Sequence, residues 1–181
     1  MLTYFQKRKL TRYFNCIDQD GKGYFVKMDV AAIAERLADA RGIDRGSEIY
    51  EQILKGILAI WDNARIYGLS QDPDRVTLSD WLAHEDAILG KEELREGYMR
   101  KISRDVFDLM DVEAKGFITK EQYAELMEAF GVEKGTTFWS FEMLDRENKG
   151  YISRHEFITI VEQFHLSEDR QAPGNYLFGV Y

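Results

Sequence analysis

Three stretches of the chain set two acids one residue apart, with a glycine three residues further on. They are Asp18, Asp20 and Gly23; Asp111, Glu113 and Gly116; and Asp145, Glu147 and Gly150. Carboxylate oxygens are the donors that a hard cation takes, in shells of roughly six to eight. The glycine admits a sharp turn that would bring them inward. The chemistry implied is reversible coordination of Ca²⁺ or Mg²⁺, with no bond made or broken. The match extends well beyond these residues. Phe14 to Val30, Phe107 to Tyr123 and Phe141 to Phe157 superimpose without gaps. Each reads aromatic, two variable, apolar, Asp, variable, acid, two variable, Gly, aromatic, apolar, four variable, then apolar.

Helices must hold these turns. Leu10, Phe14 and Ile17 lie at helical spacing before the first turn, and Val30, Ile33 and Leu37 after it. Tyr98, Ile102, Val106 and Phe107 precede the second copy, and Tyr123, Leu126, Met127 and Phe130 follow. Phe138, Phe141 and Leu144 precede the third; Phe157, Ile160, Val161 and Phe164 follow. Each set makes one apolar stripe. Proline stands only at positions 73 and 173, so long helices are allowed.

The unit is helix, acidic glycine-bearing loop, helix, and it resembles the EF-hand. The resemblance implies a twelve-residue loop with ligands at positions 1, 3, 5, 7, 9 and 12, and an apolar position 8 that pairs with a partner loop. A fourth, eroded copy lies between the first two. With Val76 at position 8, Asp80 takes position 12, but Leu69 falls at position 1, Pro73 at 5 and Asp74 at 6. Its flanking stripe is Ile49, Ile53, Ile57 and Trp61 before, with Trp81 and Leu82 after. This copy is expected to bind no metal and to complete a pair. The expected fold is all-α: four EF-hands in two pairs, packed into one compact body, with very short β pairing between loops. Residues 1–89 would form the first pair, 90–168 the second, and 169–181 a tail lying on the body.

Transferred onto these loops, the motif assigns metal ligands residue by residue. Loop one, Asp18 to Asp29, would use Asp18, Asp20, the Tyr24 carbonyl and Asp29. Asp29 is one methylene shorter than the usual Glu, which suits Mg²⁺ as well as Ca²⁺. Loop three offers Asp111 and Glu113, but Gln122 at position 12 is neutral, so this loop is expected to be weak or empty. Loop four has Asp145, Glu147, the Tyr151 carbonyl and Glu156, the best Ca²⁺ set. All three depart from the motif at position 5, which is Lys22, Lys115 or Lys149. An ammonium has no lone pair to give. At ~6 Å from an ion it repels a unit charge by about 3 kcal/mol at an effective dielectric of about 20.

Four hands, a dead second hand and this length resemble the sarcoplasmic calcium-binding protein group, with its calerythrin-like members and its relatives calexcitin and the coelenterazine-using photoproteins. Ala172 to Gly179 (APGNYLFG) is similar to that group's folded-back tail. The resemblance implies a compact Ca²⁺ buffer or signal carrier with an apolar interior.

Composition fits this reading. The 181 residues carry a net charge of -8, which disfavours nucleic acid and anionic membranes. The lone Cys16 can form no internal disulfide and sits on a helical apolar face, as a buried thiol would. With no long apolar run and no leader pattern, the expectation is a monomeric cytoplasmic protein. An enzyme is not expected: His84, His155 and His165 are scattered, and no zincin, phosphate-loop, dinucleotide or nucleophile-elbow motif occurs. The competing expectation is a carrier of a small hydrophobic ligand with weakened metal binding. Trp61, Trp81, Trp139 and His165 would line its cavity, unless Tyr176, Leu177 and Phe178 fill it. An unidentified protein target is a further possible partner.

Overall fold

A computed structural model describes residues 1–66 and 72–181. In chain order the elements are α1 (Tyr4–Ile17), β1 (Tyr24–Phe25), α2 (Lys27–Ala40), α3 (Glu48–Ile66), β2 (Val76–Thr77), α4 (Leu78–Leu89), α5 (Glu92–Met110), β3 (Phe117–Thr119), α6 (Lys120–Ala129), α7 (Lys134–Leu144), β4 (Tyr151–Ser153) and α8 (Arg154–Leu166). A 3-10 turn, Pro173–Tyr176, follows. This is the all-α architecture expected, four helix–loop–helix hands in two pairs. Leu69, the eroded loop's first position, lies outside the described residues.

The hands pair through their loops. β1 runs antiparallel to β2 with Phe25 opposite Val76, and β3 to β4 with Ile118 opposite Ile152. These are the position-8 residues, and all four are buried. Two- and three-residue strands are marginal alone. Here each is held by the apolar side chain that it sends into the core.

The helical stripes meet in one hydrophobic cluster. Leu10, Phe14, Ile17, Val30, Ile33, Leu37, Phe107, Tyr123, Leu126, Phe141, Phe157 and Phe164 all belong to it. Ile49 does not; it is 58% exposed. Eight residues before Ile57 on a helix of 3.6 residues per turn, it is rotated about 80° off the buried face. Trp139 is also outside the core, with its ring edge-on to Tyr176 at 5.2 Å. Trp61, Trp81 and Cys16 are buried. No described helix is long and apolar enough to cross a membrane.

The C-terminal segment seals the body. Phe178 stacks on Tyr13 at 4.2 Å and lies edge-on to Phe164 at 5.1 Å. Gly174 passes so close to α8 that a Cβ there would meet the Ile160 carbonyl at 2.3 Å. Lys9 on α1 is fully buried, and its ammonium donates to three acceptors: the carbonyls of Gln163 (3.1 Å) and Ser167 (2.8 Å), and Asn175 Oδ1 (2.9 Å). One cation thus ends α8 favourably and ties the tail to α1. The Tyr123 hydroxyl donates to the Leu177 carbonyl at 2.7 Å, and Arg12 Nε to the Phe178 carbonyl at 2.9 Å.

Truncating Phe178 to Ala should cost about 3 kcal/mol by emptying this aromatic cluster, measured by denaturant unfolding. A change under about 1 kcal/mol would mean that the tail is not integral to the core.

Burial also sets an alkaline limit. It pushes the Cys16 thiol up to about 11 and the phenols of Tyr13, Tyr98 and Tyr123 well above their usual value. Each binds its proton longer in the folded state, so its contribution is whole below the ordinary pKa and is lost as pH rises past it. Lys9 works the other way: burial lowers it to about 8, a cost relieved between there and its ordinary value of 10.5. Between pH about 9 and about 10 Cys16 and Lys9 offset each other, and with the three phenols added stability should fall above pH about 10. Tyr123→Phe should show a shallower fall than the parent in denaturant midpoints at pH about 10 and about 11.5.

Candidate metal centres

The three acidic loops share one backbone shape. Position 4 takes positive φ in all of them: Gly21 (68°), Ala114 (53°) and Asn148 (53°). So does position 6: Gly23 (85°), Gly116 (81°) and Gly150 (80°). The first acid of each loop closes the helix before it and is buried. Its carboxylate accepts two backbone N–H groups from positions 5 and 6. For Asp18 these are Lys22 (3.1 Å) and Gly23 (2.8 Å); for Asp111, Lys115 (2.8 Å) and Gly116 (2.8 Å); for Asp145, Lys149 (3.1 Å) and Gly150 (2.7 Å).

Position 12 is the third residue of the exiting helix. In all four hands its side chain accepts the N–H of the helix-capping residue. The pairs are Val26 to Asp29 (2.8 Å), Thr77 to Asp80 (2.9 Å), Thr119 to Gln122 (2.9 Å) and Ser153 to Glu156 (2.9 Å). This is half of a capping box. It explains how Asp80 and Gln122 hold the first turns of their helices.

In loops one and four the position-5 lysines do not swing into solvent. Lys22 Nζ lies 2.8 Å from Asp29 Oδ2, 2.9 and 3.1 Å from the Asp20 oxygens and 3.8 Å from Asp18 Oδ1. It also stands over the Tyr24 ring at 5.4 Å. In loop four Lys149 Nζ pairs with Glu156 and with Glu147 Oε2 at 3.4 Å, over the Tyr151 ring at 5.2 Å. Loop three differs. Among the described residues Lys115 pairs with Glu113 alone, at 2.5 Å, while Arg154 reaches from α8 to Asp108 (2.7 Å) and towards Asp111 (3.9 Å).

Charges respond accordingly. For Lys22, partial burial works downward, but Asp29 and Asp20 more than offset it and raise its pKa. Glu156 raises Lys149 most. Partial burial works upward on Glu156 itself, yet Lys149 and the Ser153 hydroxyl and N–H bring it down to about 2. Asp20 is lowered, chiefly by its hydrogen bond to Lys22.

Whether the residues fit a divalent cation differs by loop. Loops one and four carry carboxylates at positions 1, 3 and 12, and in both a lysine ammonium stands between those of positions 3 and 12. As the side chains stand, no three of the described Asp, Glu, His or Cys residues are gathered tightly enough to cage a metal. Loop three lacks the twelfth carboxylate, and the eroded loop has Pro73 where an oxygen ligand would be.

The histidines serve elsewhere. His155 is exposed on α8. His165, buried, pairs with buried Glu85 of α4 at 3.1 Å, and His84 meets the Tyr98 hydroxyl at 3.2 Å. The expected cavity position of His165 is therefore a buried link between α4 and α8. Glu85 gave no sequence signal, since one acid on a helix reads as solvent-facing.

No protein-family model matches the chain, and no curated protein matches it. Solved structures do. The coelenterazine-binding protein of Renilla muelleri, in a Ca-loaded apo form, aligns over 99% of this chain and 100% of its own, with a TM-score of 0.75 and 23% identity. A Streptomyces coelicolor calcium-binding protein aligns over 88% and 97%, at TM-score 0.70 and 19% identity. A sarcoplasmic calcium-binding protein from amphioxus aligns over 100% of both chains, at TM-score 0.68 and 16% identity. At these identities the likeness is one of fold: the chain is built on the four-EF-hand plan that these proteins share.

Proposed function

We propose that this chain binds divalent cations, Ca²⁺ with Mg²⁺ as a competitor, through loops one and four, and acts as a buffer or signal carrier of modest affinity. The observation that carries the reading is that the acids of positions 3 and 12 in both loops already converge on a positive charge. Asp18, Asp20, Asp29 and the Tyr24 carbonyl would form one site, and Asp145, Glu147, Glu156 and the Tyr151 carbonyl the other. Asp111 and Glu113 would make at most a weak third, because Gln122 brings no charge. A bound ion would supply charge neutralisation and cross-linking of the loop, nothing more. A solved structure of similar fold, the coelenterazine-binding protein, is Ca-loaded, which supports the same reading.

Calorimetric titration with CaCl₂ and MgCl₂ tests it. The parent chain should take up Ca²⁺ with a dissociation constant on the order of 10⁻⁵–10⁻³ M, weaker than a tight buffer. Glu156→Gln should abolish the tightest event. An unchanged titration in that variant would remove loop four as the site.

A second reading, carriage of a small apolar ligand, has its own observation. A groove of about 720 Å³ runs between α3 and α5, with Ile49, Ile53, Leu109 and Val112 on its floor and walls and charged residues such as Arg41, Lys55, Asp105 and Asp108 also lining it. Ile49 and Val112 are among the exposed large apolar residues. The aromatic centre itself is filled by Phe178, so a ligand would use this groove. A hydrophobic fluorescent probe should brighten with the parent and not with Val112→Glu; equal brightening would exclude the groove.

A further inference from the structure

Among the three acidic loops, positions 3 and 12 bracket the lysine at position 5 in loops one and four. Lys22 spans Asp20 and Asp29; Lys149 spans Glu147 and Glu156. In loop three the same residue type, at the same position on the same backbone, reaches Glu113 alone, because Gln122 offers no charge. Loop three also draws a cation from outside, since Arg154 of α8 stands near Asp108 and Asp111. The ammonium settles where two carboxylates oppose each other across the loop, and the aromatic ring at position 7 gives it a third, π-face contact.

We propose that Lys22 and Lys149 are tethered counter-cations that close loops one and four without metal and set the concentration at which a divalent ion can enter. This rests on the cation-binding reading above and names the residues that tune it. Three consequences follow from the geometry. The metal-free loops have the opposed carboxylates of positions 3 and 12 bridged from within, so the apo protein is folded and its exit helices are already capped. Entry of an ion requires the ammonium to leave two carboxylates and a ring, so affinity is lowered by competition as well as by a missing ligand. And the displaced charge stays attached at the loop, so it re-enters as soon as the ion departs.

The test uses the full chain with Lys22→Met, Lys149→Met and Lys115→Met, which keep side-chain bulk and remove charge without adding an oxygen ligand. In EDTA the first two should melt roughly 2–6 °C below the parent, and Lys115→Met should melt with it. Titrated with CaCl₂ alone, Lys149→Met should bind on the order of tenfold to a hundredfold more tightly than the parent. Lys149→Arg, which retains the charge, should not gain that affinity. Equal melting of Lys22→Met, Lys149→Met and Lys115→Met in EDTA would overturn the proposal, as would unchanged calcium affinity in Lys149→Met. If the parent takes up no calcium while Lys149→Met does, the lysine's role stands and the cation-binding function of the natural chain falls.

Discussion

Carboxylates crowded into one tight turn repel one another unless a cation stands between them. In loops one and four, removing the positive charge would leave Asp20 facing Asp29 and Glu147 facing Glu156 across a gap that one ammonium now spans. The chain resolves this within the covalent structure. A dissolved ion does so only above its dissociation constant, whereas a tethered ammonium is present at a fixed, high effective concentration. The rest of each hand is then free to fold. The position-1 acid can collect its backbone N–H groups, and position 12 can cap the exiting helix. The position-8 side chain can carry its short strand into the core.

Much of this was legible in the residue pattern because it depends on local chemistry. Gly23, Gly116 and Gly150 mark positive φ, and Phe25, Ile118 and Ile152 mark the strand positions. Asp80 sits where a helix needs a cap, so even the eroded hand could be placed from Val76. The charge network was not legible to the same degree. Lys22 and Lys149 read as obstacles to an ion, but their side chains are long enough either to leave the loop or to occupy it. Spacing cannot choose between those outcomes; the opposed carboxylates do. Lys9 and Glu85 escaped for a related reason. Each is one charged residue on an amphipathic helix, and only the tail and α8, distant in sequence, turn those positions into the interior.

The tail shows how the core and the loops are coupled through helices. Phe178 fills the space among Tyr13, Phe130 and Phe164, and Lys9 fastens the turn that delivers it. These contacts clamp α1 to α8, the entering helix of loop one and the exiting helix of loop four. Across the body Arg36 donates to the Ala129 carbonyl at 2.8 Å, and Arg41 to Glu125 and the Leu109 carbonyl at 2.8 and 2.7 Å. The two pairs of hands are thereby locked at several points far apart in sequence. Reorienting any one exit helix would break contacts on more than one side.

That constraint bears on the choice between buffering and signalling. A sensor works by opening a helix pair when the ion pulls on the position-12 side chain, uncovering an apolar groove. Here that side chain is already spoken for: Glu156 gives one oxygen to the Ser153 N–H and hydroxyl and the other to Lys149. An incoming ion would exchange one cation for another at a carboxylate whose helix is already placed and capped. A ligand shifts a conformational equilibrium only by its differential affinity for the two states. Where the ammonium already draws position 12 towards the loop, metal-free and metal-bound hands would differ little in helix angle. On the proposed exchange, uptake of an ion would come with small structural change.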